Sequence, residues 1–563
     1  MRFEVAESDK MKFFSGGAMA VSPDGHWMVF PATGEDGVAR YWLRSLDTVE
    51  ARALPGTEGA FVPAAWSWDS RYVVFTSLGG LKLKKVDIQG GPPQTLADVP
   101  SQINGAAWTR DGVIIVGMAQ GSHPLIRVSA SGGAATPATV LAQGESRHIW
   151  PQLLPDGRHF LYLKVSADPN KMGIYAGSFD SKPEEQSQQR LLATNRQAYY
   201  APSANGGTGN LIFLRDSTLM AQPFDPGKLQ LSGEPAAIAE GVDSFVGANY
   251  GLFSVSDTGA LVYRAGAGSK LVATWFDQNI NPAGTLGEPG EYANPAVSPD
   301  GTHVAVAAGS AGSRDIWILD VARNSPSRFT FDPANDDNPV WSPDGKNVVF
   351  FSNRKGELKL YIKPADGSGE ERLLTDQPGI PSSWSRDGRF LLFTSGSPKT
   401  GNDIWVLPNP RSASGDSKPT PLLTTQFDEQ DAQVSPDGRW IAYQTNESGA
   451  SDIYVRPFAA DGNGGGAKWL VSRGLSIYPR WRSDGKQLFY ASPNLDIMGV
   501  DIDTSKGFQA GTPRRLFTAP PPLLAIGWDL TADAKRFLFI TTPNGGRPAP
   551  FTVVLNWAAG LKK

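Results

Sequence analysis

Apolar residues along this chain fall in short runs, and polar turn residues separate them. Asn347-Val348-Val349-Phe350-Phe351 and Phe390-Leu391-Leu392-Phe393 are two such runs, and each follows a near-identical turn. The turn reads Val297-Ser298-Pro299-Asp300-Gly301 in its clearest copy. It recurs at Val21–Gly25, Trp341–Gly345, Trp384–Gly388, Val434–Gly438 and Trp481–Gly485. Proline presets φ for the first turn position, aspartate bonds the turn backbone, and glycine accepts the positive φ that closes a hairpin. Residues 340–375 then read as four strands. Val340-Trp341-Ser342 is innermost, Asn347–Phe351 second, Leu358-Lys359-Leu360-Tyr361-Ile362 third and Glu371-Arg372-Leu373-Leu374-Thr375 outermost. Third strands elsewhere include Asp315–Ile318, Asp403–Val406 and Asp452–Val455.

Turns of this kind fall near residues 23, 68, 110, 155, 206, 257, 299, 343, 386, 436, 483 and 532, twelve in all. The copies at Ala204-Asn205-Gly206-Gly207, Ser256-Asp257-Thr258-Gly259 and Thr531-Ala532-Asp533-Ala534 are degenerate. A repeat of roughly 40–50 residues made only of strands and turns is the signature of a β-propeller. Rings usually hold about four to eight blades, so the expectation is an all-β chain of two tandem six-bladed propellers with four-stranded antiparallel blades, residues 1–280 and 281–563. Trp66, Trp108, Trp341, Trp384, Trp481 and Trp528 hold one place in the repeat and are expected between blades. Leu271–Phe276 is expected as third strand of the sixth blade and Phe551–Trp557 as that of the twelfth. Each ring is then closed by its own N-terminal outer strand, Arg2–Ala6 in the first and Thr285-Leu286-Gly287-Glu288 in the second, which removes an open sheet edge.

Composition narrows the function. In 563 residues the net charge is −4 without a long basic run, so no nucleic-acid partner is expected. There is no cysteine, which excludes disulfides, thiolate metal sites and a cysteine nucleophile. No stretch has the apolar length of a membrane span, and the first residues lack a signal-peptide core. The chain is therefore expected to be soluble and to make no membrane contact of its own.

The repeats resemble the TolB-type, WD-like repeats of bacterial propellers. In the second half, Gly287–Tyr292, Asp315-Ile316-Trp317, Pro339–Gly345, Asn446-Glu447-Ser448-Gly449, Tyr454–Phe458 and Val553–Trp557 resemble the C-terminal propeller region of bacterial serine/threonine protein kinases. That resemblance implies a kinase domain, a membrane helix and then an extracytoplasmic sensor; a stand-alone chain would instead be cytoplasmic. The sequence has no kinase glycine-rich loop, His-Arg-Asp or Asp-Phe-Gly motif. Arg110-Asp111-Gly112 and Arg386-Asp387-Gly388 are hairpin turns, and Gly462-Asn463-Gly464 lies between strands with no helix to follow it.

Candidate chemistry is sparse. His26, His159 and His303 belong to turns, while His148 precedes an inner strand beside Arg147. No second histidine shares that repeat, and no Gly-x-Ser-x-Gly elbow exists. Asp336-Asp337 and Glu429 with Asp431 occupy corresponding places ahead of inner strands. They form a candidate acidic entrance to the second channel, with calcium the candidate cofactor there; otherwise none is expected. Asn104, Arg147, His148, Tyr199, Tyr200, Asn249, Tyr250, Tyr292 and Tyr478 fall at equivalent channel-mouth positions, as a ligand site would require. The expected function is non-catalytic binding of a protein segment or small molecule, with a metal-dependent propeller hydrolase or lyase as the alternative.

Overall fold

The computed structural model describes all residues except 14–16, 37, 61–63, 78–80, 120, 167, 204–206, 246–248, 266–269, 310–312, 398–399, 412–417, 449–450, 461–465, 475, 493–495, 521–526, 544–547 and 561–563. The degenerate turn expected at 204–207 lies largely outside the described residues, as does Gly462-Asn463-Gly464. The described residues form strands and turns, with no α-helix and only short 3₁₀ turns at Pro183–Glu185 and Trp557–Gly560.

The chain divides into two compact units, Met1–Ser269 with Arg547–Lys563, and Lys270–Gly546. Among the described residues each unit holds six antiparallel sheets of four or five strands, and the first adds a small pair, Ser244–Phe245 with Tyr250–Gly251. One sheet shows the plan: Asp336–Trp341, Asn347–Ser352, Lys359–Pro364 and Arg372–Leu373 pair in chain order. The turn serine, whose recurrence turn propensity alone leaves unexplained, ties this hairpin together, as Ser22, Ser67, Ser298, Ser385 and Ser435 do theirs. Ser342 Oγ donates to Asp344 Oδ1 at 2.6 Å and accepts the Asn347 N–H at 2.9 Å, while the Gly345 N–H reaches the Ser342 carbonyl at 2.9 Å.

Packing between sheets supplies the core. Residues such as Val348, Phe350, Leu391 and Phe393 are wholly buried, and Trp66, Trp108, Trp341, Trp384 and Trp528 are also buried. Several of these indoles donate to the inner strand of the preceding sheet: Trp66 to the Ala20 carbonyl at 3.0 Å, Trp341 to Ala296 at 2.9 Å and Trp481 to Gln433 at 3.1 Å. These rings therefore bury a large apolar face and still satisfy their one donor, whereas the Trp528 indole N–H, wholly buried, has no partner among the described residues.

Two third strands differ from expectation. Leu271–Asp277 pairs not with Ala260–Arg264 but with Arg536–Thr541, and Phe551–Leu555 pairs with Ala260–Arg264. The chain thus leaves the first unit one strand short and supplies that strand at its C-terminal end. Arg2–Val5 is the outer strand of the sixth sheet, as expected, but its partner is Phe551–Leu555. Pro282–Gly290, which contains Thr285–Glu288, is the outer strand beside Leu271–Asp277. The reason lies in packing rather than pattern. Both segments alternate like third strands, but Phe551 and Val553 fit a cluster with Phe13 and Phe30, whereas Trp275 fits one with Leu538 and Ile540. Arg264, 2% exposed, is held with its guanidinium 4.1 Å from the Phe551 ring centroid and 5.4 Å from that of Phe13.

In each unit the first and last sheets touch. The Val21 N–H donates to Ser254 Oγ at 3.1 Å, Asp257 N–H to the Pro23 carbonyl at 3.0 Å, and Val297 N–H to Asp529 Oδ2 at 2.8 Å.

Candidate functional site

Each unit encloses a cavity walled by the innermost strands of all six of its sheets, about 680 Å³ in the first and 690 Å³ in the second. The residue that precedes the wedge tryptophan, or its equivalent, faces inward, since side chains along a strand alternate. In the first unit these positions include Ala20, Ala65 and Ala107, and the wall is completed by aromatic groups such as Trp150, Tyr199 and Tyr200. In the second they include Gln433, Arg480 and Asp529, and the wall is polar.

A bulge shapes the second cavity. Asn294, Asn338, Asp431 and Tyr478 stand at matching places with φ of 48°, 52°, 52° and 57°, where the pairing register of their inner strands shifts. Left-handed backbone is tolerated by asparagine and aspartate through local side-chain bonding and is costly for tyrosine. Asn294 Nδ2 donates at 2.8 Å to both Asp337 Oδ1 and Asn338 Oδ1. Arg480 Nε lies 3.5 Å from Asp529 Oδ1. Burial pushes the Asp431 and Asp529 carboxyls up, and attraction to Arg480 opposes this. Burial, with the Asp431 charge, also pushes the Tyr478 hydroxyl up. One guanidinium thus serves two cavity carboxylates.

Of the channel-mouth residues expected from sequence, Tyr199, Tyr200, Asp431 and Tyr478 line a cavity. The others do not line either of these two cavities. Asp336 is wholly buried, with Arg354 on both oxygens at 3.0 and 3.1 Å. Asp337 pairs with Arg314 at 2.7 Å. Glu429, 2% exposed, is bonded by the Thr425 hydroxyl, and Tyr292 is buried against its own unit's core. The expected acidic entrance is therefore not assembled, since only Asp431 of its four carboxylates reaches the cavity. In the first unit Asn104 is buried beside Gly105, Arg147 bonds the Ala119 carbonyl and lies 3.5 Å from Asn249 Oδ1, and Tyr250 stacks on Trp150 with centroids 4.6 Å apart.

His148 sits in an arrangement with the outline of a hydrolytic triad. Its Nδ1 is 2.8 Å from Thr139 Oγ1 and its Nε2 2.9 Å from Glu145 Oε2. Thr139 and His148 are each 1% exposed, and the hydroxyl already accepts the Leu125 N–H at 3.0 Å. Lys164 Nζ closes the network at 3.1 Å from Glu145 Oε1. No substrate reaches such a hydroxyl, so the group is a buried clamp. Among the described residues no group of three His, Cys, Asp or Glu is disposed to hold a metal ion. No helix of the described chain is long and apolar enough to cross a membrane.

Sequence reasoning missed Arg480, Asp529, Asn294 and Asn338. Counting back from the turn by the strand period of two places Arg480 and Asp529 inward, and asparagine next to the inner strand marks the left-handed bulge.

Residues 285–455 match the TolB beta propeller domain. The four-stranded antiparallel sheets found in both units are consistent with propeller blades. No curated protein matches the chain. Among solved structures it is similar to a putative TolB from Agrobacterium tumefaciens, at 20% identity over 48% of this chain and 97% of that one with a TM-score of 0.39. It is similar to TolB from Acinetobacter baumannii at 16% identity over 63% and 78% (TM-score 0.33), and to an ancestral GH74 enzyme at 11% identity over 98% and 92% (TM-score 0.34).

Proposed function

We propose that this chain is a non-catalytic binding protein made of two six-bladed rings, whose central cavities receive a protein segment or small ligand. One observation carries the reading: in each unit, strands of all six sheets line a cavity of about 680–690 Å³, within the size range of ligand sites. The contacts between first and last sheets support ring closure. The second cavity, with Asp431, Tyr478, Arg480 and Asp529, offers polar anchors; the first offers apolar and aromatic walls.

The test is native mass spectrometry and calorimetry of the full chain against a library of short peptides. Expected are ligands whose affinity falls at least tenfold in Asp431→Asn or Tyr478→Phe. A library without a single binder, or one whose binders are indifferent to both cavities, overturns the reading, and turnover of a bound peptide replaces it with an enzyme. A sensor role in a kinase-like receptor belongs to the same proposal. It is tested by the reading frame upstream of Met1, where a kinase domain and membrane helix are expected and unrelated sequence removes the role.

A further inference from the structure

Two sheets of the second unit build the same place with opposite charges. Asp336 and Glu429 both open an innermost strand, registered against Ser352 and Thr445. Two residues beyond those partners stand Arg354 in one sheet and Glu447 in the other. Lys359 and Asp452 pair next in register, and two residues beyond them stand Tyr361 and Tyr454. In the first sheet Arg354 lies 4.3 Å from the Tyr361 ring centroid, grips both oxygens of Asp336 and pairs with Glu371 at 2.5 Å. In the second sheet Glu447 takes the arginine's place. It pairs with Lys468 at 2.5 Å, and that ammonium lies 5.5 Å from the Tyr454 centroid. Among the described residues Glu429 makes no ion pair like that of Asp336 with Arg354; Arg456, together with Glu429 and Glu447, acts on the neighbouring Tyr443.

The groups around Glu429 are oxygen-rich and negative. Thr425 bonds it through its hydroxyl and, at 3.4 Å, its N–H. Asp403 of the preceding sheet, 4% exposed, and Glu447 are the charges that act on it most, and Tyr443 lies near both glutamates. Among the described residues, buried Asp403 Oδ1 and Thr445 Oγ1 have no hydrogen-bond partner. A buried carboxylate without counter-charge is strongly disfavoured, and hard oxygen donors are what Na⁺ and Ca²⁺ take.

We propose that the space filled by the Arg354 guanidinium in one sheet is, in the other, the seat of a small hard cation, Na⁺ or Ca²⁺, held at Glu429 with Asp403 and Thr445 beside it. The donor set is two carboxylates and a hydroxyl, which distinguishes it from a centre of three acidic or imidazole ligands.

The test uses the full chain, stripped with chelator, at pH 8 in choline chloride. The thermal midpoint is followed as NaCl or CaCl₂ replaces choline chloride at constant ionic strength. A rise with either salt is expected for the wild type and is expected to vanish in Glu429→Gln. In Glu447→Arg, which restores the guanidinium, the midpoint is expected to be raised already in choline and to be indifferent to both salts. Equilibrium dialysis with ⁴⁵Ca²⁺ or ²²Na⁺ is expected to find one ion per wild-type chain that Glu429→Gln loses. If both salts move the wild type no more than they move Glu429→Gln, and dialysis finds no ion that depends on Glu429, the proposal is overturned.

Discussion

Val262 of the first unit stands in register with Val553, a residue from the far end of the chain. The strand that carries Val553 also holds Arg2–Val5 in place, so the sixth sheet of that unit needs both chain ends. Removing residues 547–563 deletes Phe551 and Val553, both wholly buried, and leaves Arg2–Val5 without a partner. Large-to-small changes at one such aromatic alone cost about 3–5 kcal/mol, against a domain stability of about 5–15 kcal/mol. The truncated chain is therefore expected to lose cooperative folding of the first unit and keep that of Lys270–Gly546. Hydrogen exchange read by mass spectrometry checks this: full exchange is expected in Ala20–Arg264 peptides, with protection unchanged at Val304–Ala307 and Phe350. Equal loss in both units would mean that the exchanged strand supports them as one.

The same turn glycine carries different costs in different copies. Gly25 has φ +76° and Gly301 φ +72°, so alanine is strained at either by about 1 kcal/mol. At Gly25 a Cβ would also come within 2.3 Å of Thr258 Oγ1, which donates to the Asp24 carbonyl at 2.9 Å, whereas at Gly301 nothing lies within 4 Å. Gly25→Ala is expected to lower stability by roughly 2–4 kcal/mol because it also disturbs the contact between first and sixth sheets, and Gly301→Ala by only about 1 kcal/mol. Denaturant melts of the two variants check the contrast; equal losses would show that the closing contact adds nothing.

These turns were the most legible part of the molecule. The Ser-x-Asp-Gly chemistry is local, so the well-kept copies announce themselves, and Trp66, Trp108, Trp341, Trp384 and Trp481 follow from their fixed distance to it; Trp528 stands two residues earlier, and Leu530 holds the equivalent place. Strand partnership was not legible in the same way. Leu271–Phe276 and Phe551–Leu555 carry the same alternation, and only the fit of Trp275 or Phe551 to a particular cluster decides between them. The cavity was half legible. Tyr478 and Asp431 were found because polar residues stand out before an inner strand. Asp336 and Glu429 were misplaced because a left-handed residue downstream, Asn338 or Asp431, changes which side chains face inward, and no residue pattern reports φ directly.

Glu145 ties the buried clamp of the first unit to acid stability. Burial pushes its carboxyl up, but hydrogen bonds from His148, the Ala142 N–H and Lys164 outweigh this and bring it to about 2. Burial in turn pushes the His148 ring down. A carboxylate whose folded pKa is depressed stabilises the fold above its unfolded pKa near 4.5 and loses that contribution as pH falls toward 2. The difference corresponds to about 3 kcal/mol. Glu145→Gln is expected to cost that order of stability at pH 7 and to flatten the fall between pH 4.5 and 2. Urea midpoints across this range check it. An unchanged acid slope in the variant would place the acid-sensitive group elsewhere.

Glu429 has the opposite sign. Burial pushes its carboxyl up, Thr425 opposes this, Asp403 and Glu447 add to it, and the result is about 7. The folded chain therefore binds this proton more tightly than the unfolded chain. Its contribution is complete below about pH 4.5 and is lost as pH rises through 7, a change on the order of 3 kcal/mol when no cation is supplied. Burial pushes the Asp336 carboxyl up as well, but there Arg354, on both oxygens, opposes it, and among the described residues Glu429 forms no such pair. In chelated, choline-containing buffer the wild type is expected to lose stability from pH 5 to 8. Glu429→Gln is expected to match it near pH 5 and exceed it at pH 8, since an amide keeps the shape and never ionises. Urea melts at four pH values separate the curves. Parallel curves would mean that water reaches Glu429 well enough to carry its charge.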